Sequence, residues 1–204
     1  MGYRARLRSL DFGSSLASSS ARSRVVLLTG QSSFQSSRLL PVQVEFLKAV
    51  TPPTADALLT GFPFHPEFDR AAPDASLPAA AVRNSLQFAW SITSRSFRQI
   101  IADALRPLMR NSLAIITGSC GLQMLAAAAS IVPIDARIVA LGPAMLRPFE
   151  LDMERVHVVQ GRRDFWSRLL YQGPVAAYCG AGHLGYWESR EVRGIVGELL
   201  RSAK

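Results

Sequence analysis

Gly118-Ser119-Cys120-Gly121 sets a hydroxyl beside a thiol between two glycines, and Asp164 and His183 follow later, each close behind a short apolar run. A serine hydroxyl attacks a carbonyl carbon only when a base takes its proton. An imidazole does this when a carboxylate fixes its tautomer and stabilises its charged form. Ser119, Asp164 and His183, in that chain order, therefore suit acyl transfer through a covalent intermediate. Cys120 is the competing nucleophile. In the pattern G-x-S-x-G the positions two before and two after the reactive residue are small. With Ser119 central these are Thr117 and Gly121, and with Cys120 central they are Gly118 and Leu122, the poorer fit.

Positioning such groups is the task of the flanking elements. Residues 113–116 are apolar and rich in β-branching, and residues 122–129 are Ala- and Leu-rich without Gly or Pro. The pattern predicts strand, sharp corner, helix. The corner lifts a side chain clear of the sheet, and the helix start aims unpaired N–H groups at the spot where an oxyanion would form. Further apolar runs at 24–29, 55–60, 136–141, 155–160 and 174–178 read as buried strands. Helical spacing marks 42–50, 79–90, 94–109 and 188–201. Strands alternating with helices predict an α/β three-layer sandwich with a mostly parallel central sheet. In such a sheet every carboxyl strand end lies on one edge, so residues far apart in sequence converge there.

Residues 24–204 read as a single domain. Residues 1–23 are rich in Ser and Arg with little periodicity and read as a flexible basic arm. Residues 62–92 begin Phe62-Pro63-Phe64-His65-Pro66 and read as a flap over an apolar pocket, with Phe62, Phe64, His65 and Trp90 as substrate-binding residues and Phe88 behind them.

The 204 residues carry a formal net charge of +8, with 49% hydrophobic and 19% charged residues. That is too apolar for disorder, and no Lys/Arg stripe interleaved with aromatics argues for nucleic acid. Cys120 and Cys179 alone do not make a disulfide framework, which makes a reducing cytoplasm the default. No apolar run is long enough to span a bilayer. Nothing in the sequence points to a metal or cofactor or fixes an oligomeric state.

The Ser…Asp…His order, the corner at Ser119, the strand leading to Gly161-Arg162-Arg163-Asp164 and the late Gly180-Ala181-Gly182-His183 before a terminal helix together resemble the α/β-hydrolase superfamily. The resemblance implies Ser119 as nucleophile, His183 as general base then acid, and Asp164 orienting His183. It also implies an oxyanion hole from the N–H groups of Cys120 and Gln31, because Thr29-Gly30-Gln31 stands where the family usually has a His-Gly pair. Thr117 and Thr29 depart from the usual Gly and His, and the Asp164-to-His183 separation is short. Glu150 or Asp152 is the alternative acid. His65-Pro66-Glu67 and Ser119-Cys120-Gly121-Leu122-Gln123 also resemble segments of glutamine amidotransferases, but in the wrong order. The expected activity is hydrolysis of an ester or thioester on a small-molecule or carrier-bound acyl group, with Arg162 and Arg163 near the mouth to favour an anionic handle. The alternatives are an inactive ligand- or partner-binding module and an acyltransferase using the same residues.

Overall fold

In a computed structural model the described residues are 2–13, 23–70, 75–110 and 112–201. Six strands form one sheet: β1 (Ser23–Thr29), β2 (Ala55–Leu58), β3 (Ser112–Gly118), β4 (Arg137–Leu141), β5 (Val156–Gly161) and β6 (Ala177–Cys179). Their spatial order is β2-β1-β3-β4-β5-β6, and every neighbouring pair is parallel. Alternation along each strand sends side chains to two separate cores. Val26, Leu28, Ile115, Ile138, Ala140 and Val158 face one side, and Val25, Leu27, Ala114, Ile116, Val139 and Val159 face the other. Both faces are covered, which is why these strands read as continuous apolar runs.

The first core is roofed by α4 (Arg95–Met109) and α5 (Gly121–Ala129), with α3 (Leu77–Thr93) alongside. The second is roofed by α2 (Pro41–Val50) and α7 (Arg190–Arg201), through Phe46, Leu47, Val192, Val196 and Leu200. The chain is thus helix layer, parallel sheet, helix layer, as expected from the sequence. A short α6 (Phe165–Leu170) joins β5 to β6. Among the described residues no helix is long and apolar enough to cross a membrane.

The start of the chain departs from expectation. Residues 3–8, read as part of a flexible arm, form the helix α1 (Tyr3–Arg8), and its Leu7 is fully buried in the first core. Its arginines act as fasteners. Arg4 donates to the hydroxyls of Ser94 and Ser96, Arg8 to Ser96, and Arg6 to the Glu67 carbonyl while lying 4.0 Å over the Phe68 ring. The rest of the expected arm, residues 14–22, lies outside the described residues.

Candidate active site

Ser119 sits at the corner between β3 and α5 with a left-handed backbone, φ 51°. The corner is held from the neighbouring strand's loop, where Ser119 N–H donates to the Leu141 carbonyl and Ala144 N–H donates to the Ser119 carbonyl. Gly121 is dictated by space, since a Cβ there would lie 2.0 Å from the Leu28 carbonyl oxygen. The start of α5 can approach β1 only without a side chain.

Three strand ends converge on this corner. Ser119 Oγ lies 3.2 Å from His183 Nε2, and His183 Nδ1 lies 3.0 Å from each carboxylate oxygen of Asp164. With Nδ1–H donating to Asp164, Nε2 is left as an acceptor for the Ser119 hydroxyl. His183 is partly open to solvent and Asp164 is fully buried. Asp164 has two jobs, because its Oδ1 also accepts from Ser167 N–H and so caps α6. Burial by itself raises the Asp164 pKa, but the hydrogen bonds from His183, Ser167 N–H and Tyr186 outweigh it and hold the carboxyl below its ordinary value. It is a carboxylate throughout the neutral range.

Tyr186 was not legible in the sequence as a member of this group. Its hydroxyl donates to Asp164 Oδ2 at 2.8 Å and accepts from Gly161 N–H at 2.8 Å. Burial, then donation to Asp164, pushes its pKa far up, so the hydroxyl keeps its proton. Gly142, φ 50°, leaves the room this arrangement needs; a Cβ there would lie 2.5 Å from both Asp164 Oδ2 and the Tyr186 ring.

The alternative acids are elsewhere. Asp152 caps the 3-10 turn Met153–Arg155 and pairs with Arg155, and Glu150 is exposed. The alternative nucleophile, Cys120, is buried. Burial pushes the Cys120 thiol up to about 12, against lowering contacts from the N–H groups of Cys120 and Gly30. A thiol that stays protonated is a poor nucleophile.

The expected oxyanion donors differ from each other. Cys120 N–H sits at the first turn of α5, beside Ser119. Gln31 N–H instead has a partner: the buried Gln87 carboxamide accepts from it at 3.3 Å and donates back to the Gln31 carbonyl at 3.2 Å. The Gln31 side chain donates to the Ser36 carbonyl and accepts from the Tyr3 hydroxyl.

The expected substrate-binding residues are corrected by burial. Phe62 and Phe64 are each 1% exposed and pack in the first core, with Phe62 edge-on to Phe97. His65 is buried, with Nδ1 accepting from Glu67 N–H and its ring edge-on to Phe12. Trp90 is half-buried in a stack with Tyr3 and Phe34, with Arg4 over its ring. Phe62, Phe64 and His65 are thus buried packing, and Trp90 keeps part of its surface exposed.

No family model matches the chain, and no curated protein matches it in sequence. Solved structures do resemble it. A predicted CIB-like hydrolase from Thermoplasma acidophilum is 18% identical with a TM-score of 0.52, covering 90% of this chain and 89% of its own. A carboxylesterase from Mesorhizobium loti is 14% identical with a TM-score of 0.49, covering 91% of each chain. The chain has the α/β-hydrolase fold. The corner after the central strand β3 holds Ser119.

Proposed function

We propose that the protein is a serine hydrolase that cleaves a carboxylic ester or thioester through an acyl-enzyme on Ser119, His183 and Asp164. One observation carries this reading: the unbroken hydrogen-bonded series from Ser119 Oγ through His183 to a buried, ionised Asp164. Ser119 Oγ attacks the carbonyl carbon as His183 Nε2 takes its proton, and Asp164 stabilises the imidazolium. The oxyanion forms at the N-terminal turn of α5, which begins at Cys120. His183 then protonates the leaving alcohol or thiol. Water, deprotonated by His183, releases the acid and restores Ser119. An alcohol or amine in place of that water would make the same residues an acyltransferase.

The Gln31 N–H held by Gln87 favours a second reading, a binding module that keeps the fold without turnover. Intact mass after incubation with a fluorophosphonate separates the two. The hydrolase reading expects one adduct on wild type and on Cys120→Ala and none on Ser119→Ala. No adduct on wild type would leave the binding module.

A further inference from the structure

The exposed side of α6 carries an apolar surface that neither the site nor the core uses. Phe165 is 66% exposed, Trp166 56% and Leu169 53%, with the two rings edge-to-face. Leu184, next to His183, is 69% exposed, and Leu146 is also exposed on the loop after β4. That loop is tied to α6, since Met145 N–H donates to the Leu170 carbonyl. Residues 142–148 and 161–187 contain Arg147, Arg162, Arg163 and Arg168, and their single acid is Asp164, which is buried and hydrogen-bonded. Exposed charge within these segments is basic, with the exposed Glu150 and Glu188 just beyond their ends. All four arginines are exposed, and none takes part in an ion pair among the described residues. Leaving large apolar side chains in water is costly unless something covers them.

We propose that α6 and its flanks dock the protein on an anionic lipid surface, with Phe165, Trp166 and Leu169 entering the headgroup region and the arginines binding phosphates. The aromatic side chains protrude, which suits entry into a soft interface better than the matched pocket a protein partner would have to provide. Tryptophan and arginine are the residue types that such an interface favours. Asp164 immediately precedes Phe165 and His183 immediately precedes Leu184, so docking brings the Ser119 corner to the membrane. That lipid-borne esters are then the substrates rests on the hydrolase reading; the docking itself does not.

Co-sedimentation of the full chain with vesicles of phosphatidylglycerol, and separately of phosphatidylcholine, tests the docking. Binding to phosphatidylglycerol alone is expected. Arg162→Glu, Arg163→Glu and Arg168→Glu should each weaken it about five-fold or more, and a blue shift of tryptophan emission on binding should vanish in Trp166→Phe. Ser119→Ala should bind like wild type, and vesicle binding by a wild type that takes no fluorophosphonate removes the hydrolase reading and leaves the surface standing. Fluorophosphonate labelling without vesicle binding overturns the surface alone. So does binding that ignores the three charge reversals, or an acidic acyl-carrier protein that binds through them while vesicles are ignored.

Discussion

The two ends of the site contrast. On the β3–β5–β6 side, each polar group expected to converge does so, and each is held by a second group: Ser119 by the β4 loop, Asp164 by Ser167 and Tyr186, His183 by Asp164. On the β1–α3 side, the residues expected to bind substrate or the oxyanion are committed elsewhere. Phe62 and Phe64 are core, Trp90 is stacked under Tyr3, and Gln31 is bonded to Gln87 and Tyr3. Charged and hydrogen-bonding groups at strand ends have few bland uses, so their type and position predict their place. A phenylalanine is the same apolar body in a core or a pocket, and only the tertiary fold decides which.

The contrast is open to being broken. Ser119→Ala and Asp164→Asn should each lower kcat on a model ester by about 10⁴-fold while the protein stays folded. Residual activity within ten-fold of wild type in either would remove the converged side from the chemistry. Phe62→Ala should cost about 3–5 kcal/mol in urea unfolding as a core deletion, with KM for a short ester unchanged. A raised KM with unaltered stability would return this segment to the pocket.

Tyr186→Phe sharpens the first half of the contrast. It leaves Gly161 N–H and one Asp164 oxygen short of a partner, a loss of about 1–3 kcal/mol. Because the folded-state Asp164 carboxyl is held below its ordinary value, the stability it contributes is present above the unfolded-state pKa of about 3.9 and fades as pH falls through the folded value. The stability gap between wild type and Asp164→Asn should therefore close on acidification, and a gap that widens would contradict the assignment. The smallest expected effect is Tyr3→Phe. Losing its hydrogen bond to Gln31 should cost about 1 kcal/mol, read as a small shift in the urea midpoint.

Most of the sheet was legible because the parts of strands buried on both faces must be apolar, as Ile138–Leu141 and Val25–Leu28 are. Ser119, Asp164 and His183 were legible because parallel topology sends strand ends to one edge. Asp164 caps α6 while also facing His183, so one strand-end carboxylate serves both packing and the site. Tyr186 was not legible, for nothing in a tyrosine three residues past a histidine says that its hydroxyl turns back to a carboxylate. Nor was α1. A six-residue helix lacks the length to show a period and draws its stability from docking rather than propensity. Gln87 looked like any polar residue on a helix until the fold buried it against Gln31.

The left-handed backbone at Ser119 sets packing and chemistry against each other. For the corner alone glycine is the natural occupant, and any residue with a Cβ there carries roughly 1–2 kcal/mol of steric penalty. Ser119→Gly would relieve that penalty and remove the hydroxyl together. On the hydrolase reading, Ser119 holds its hydroxyl on a backbone that glycine would relax.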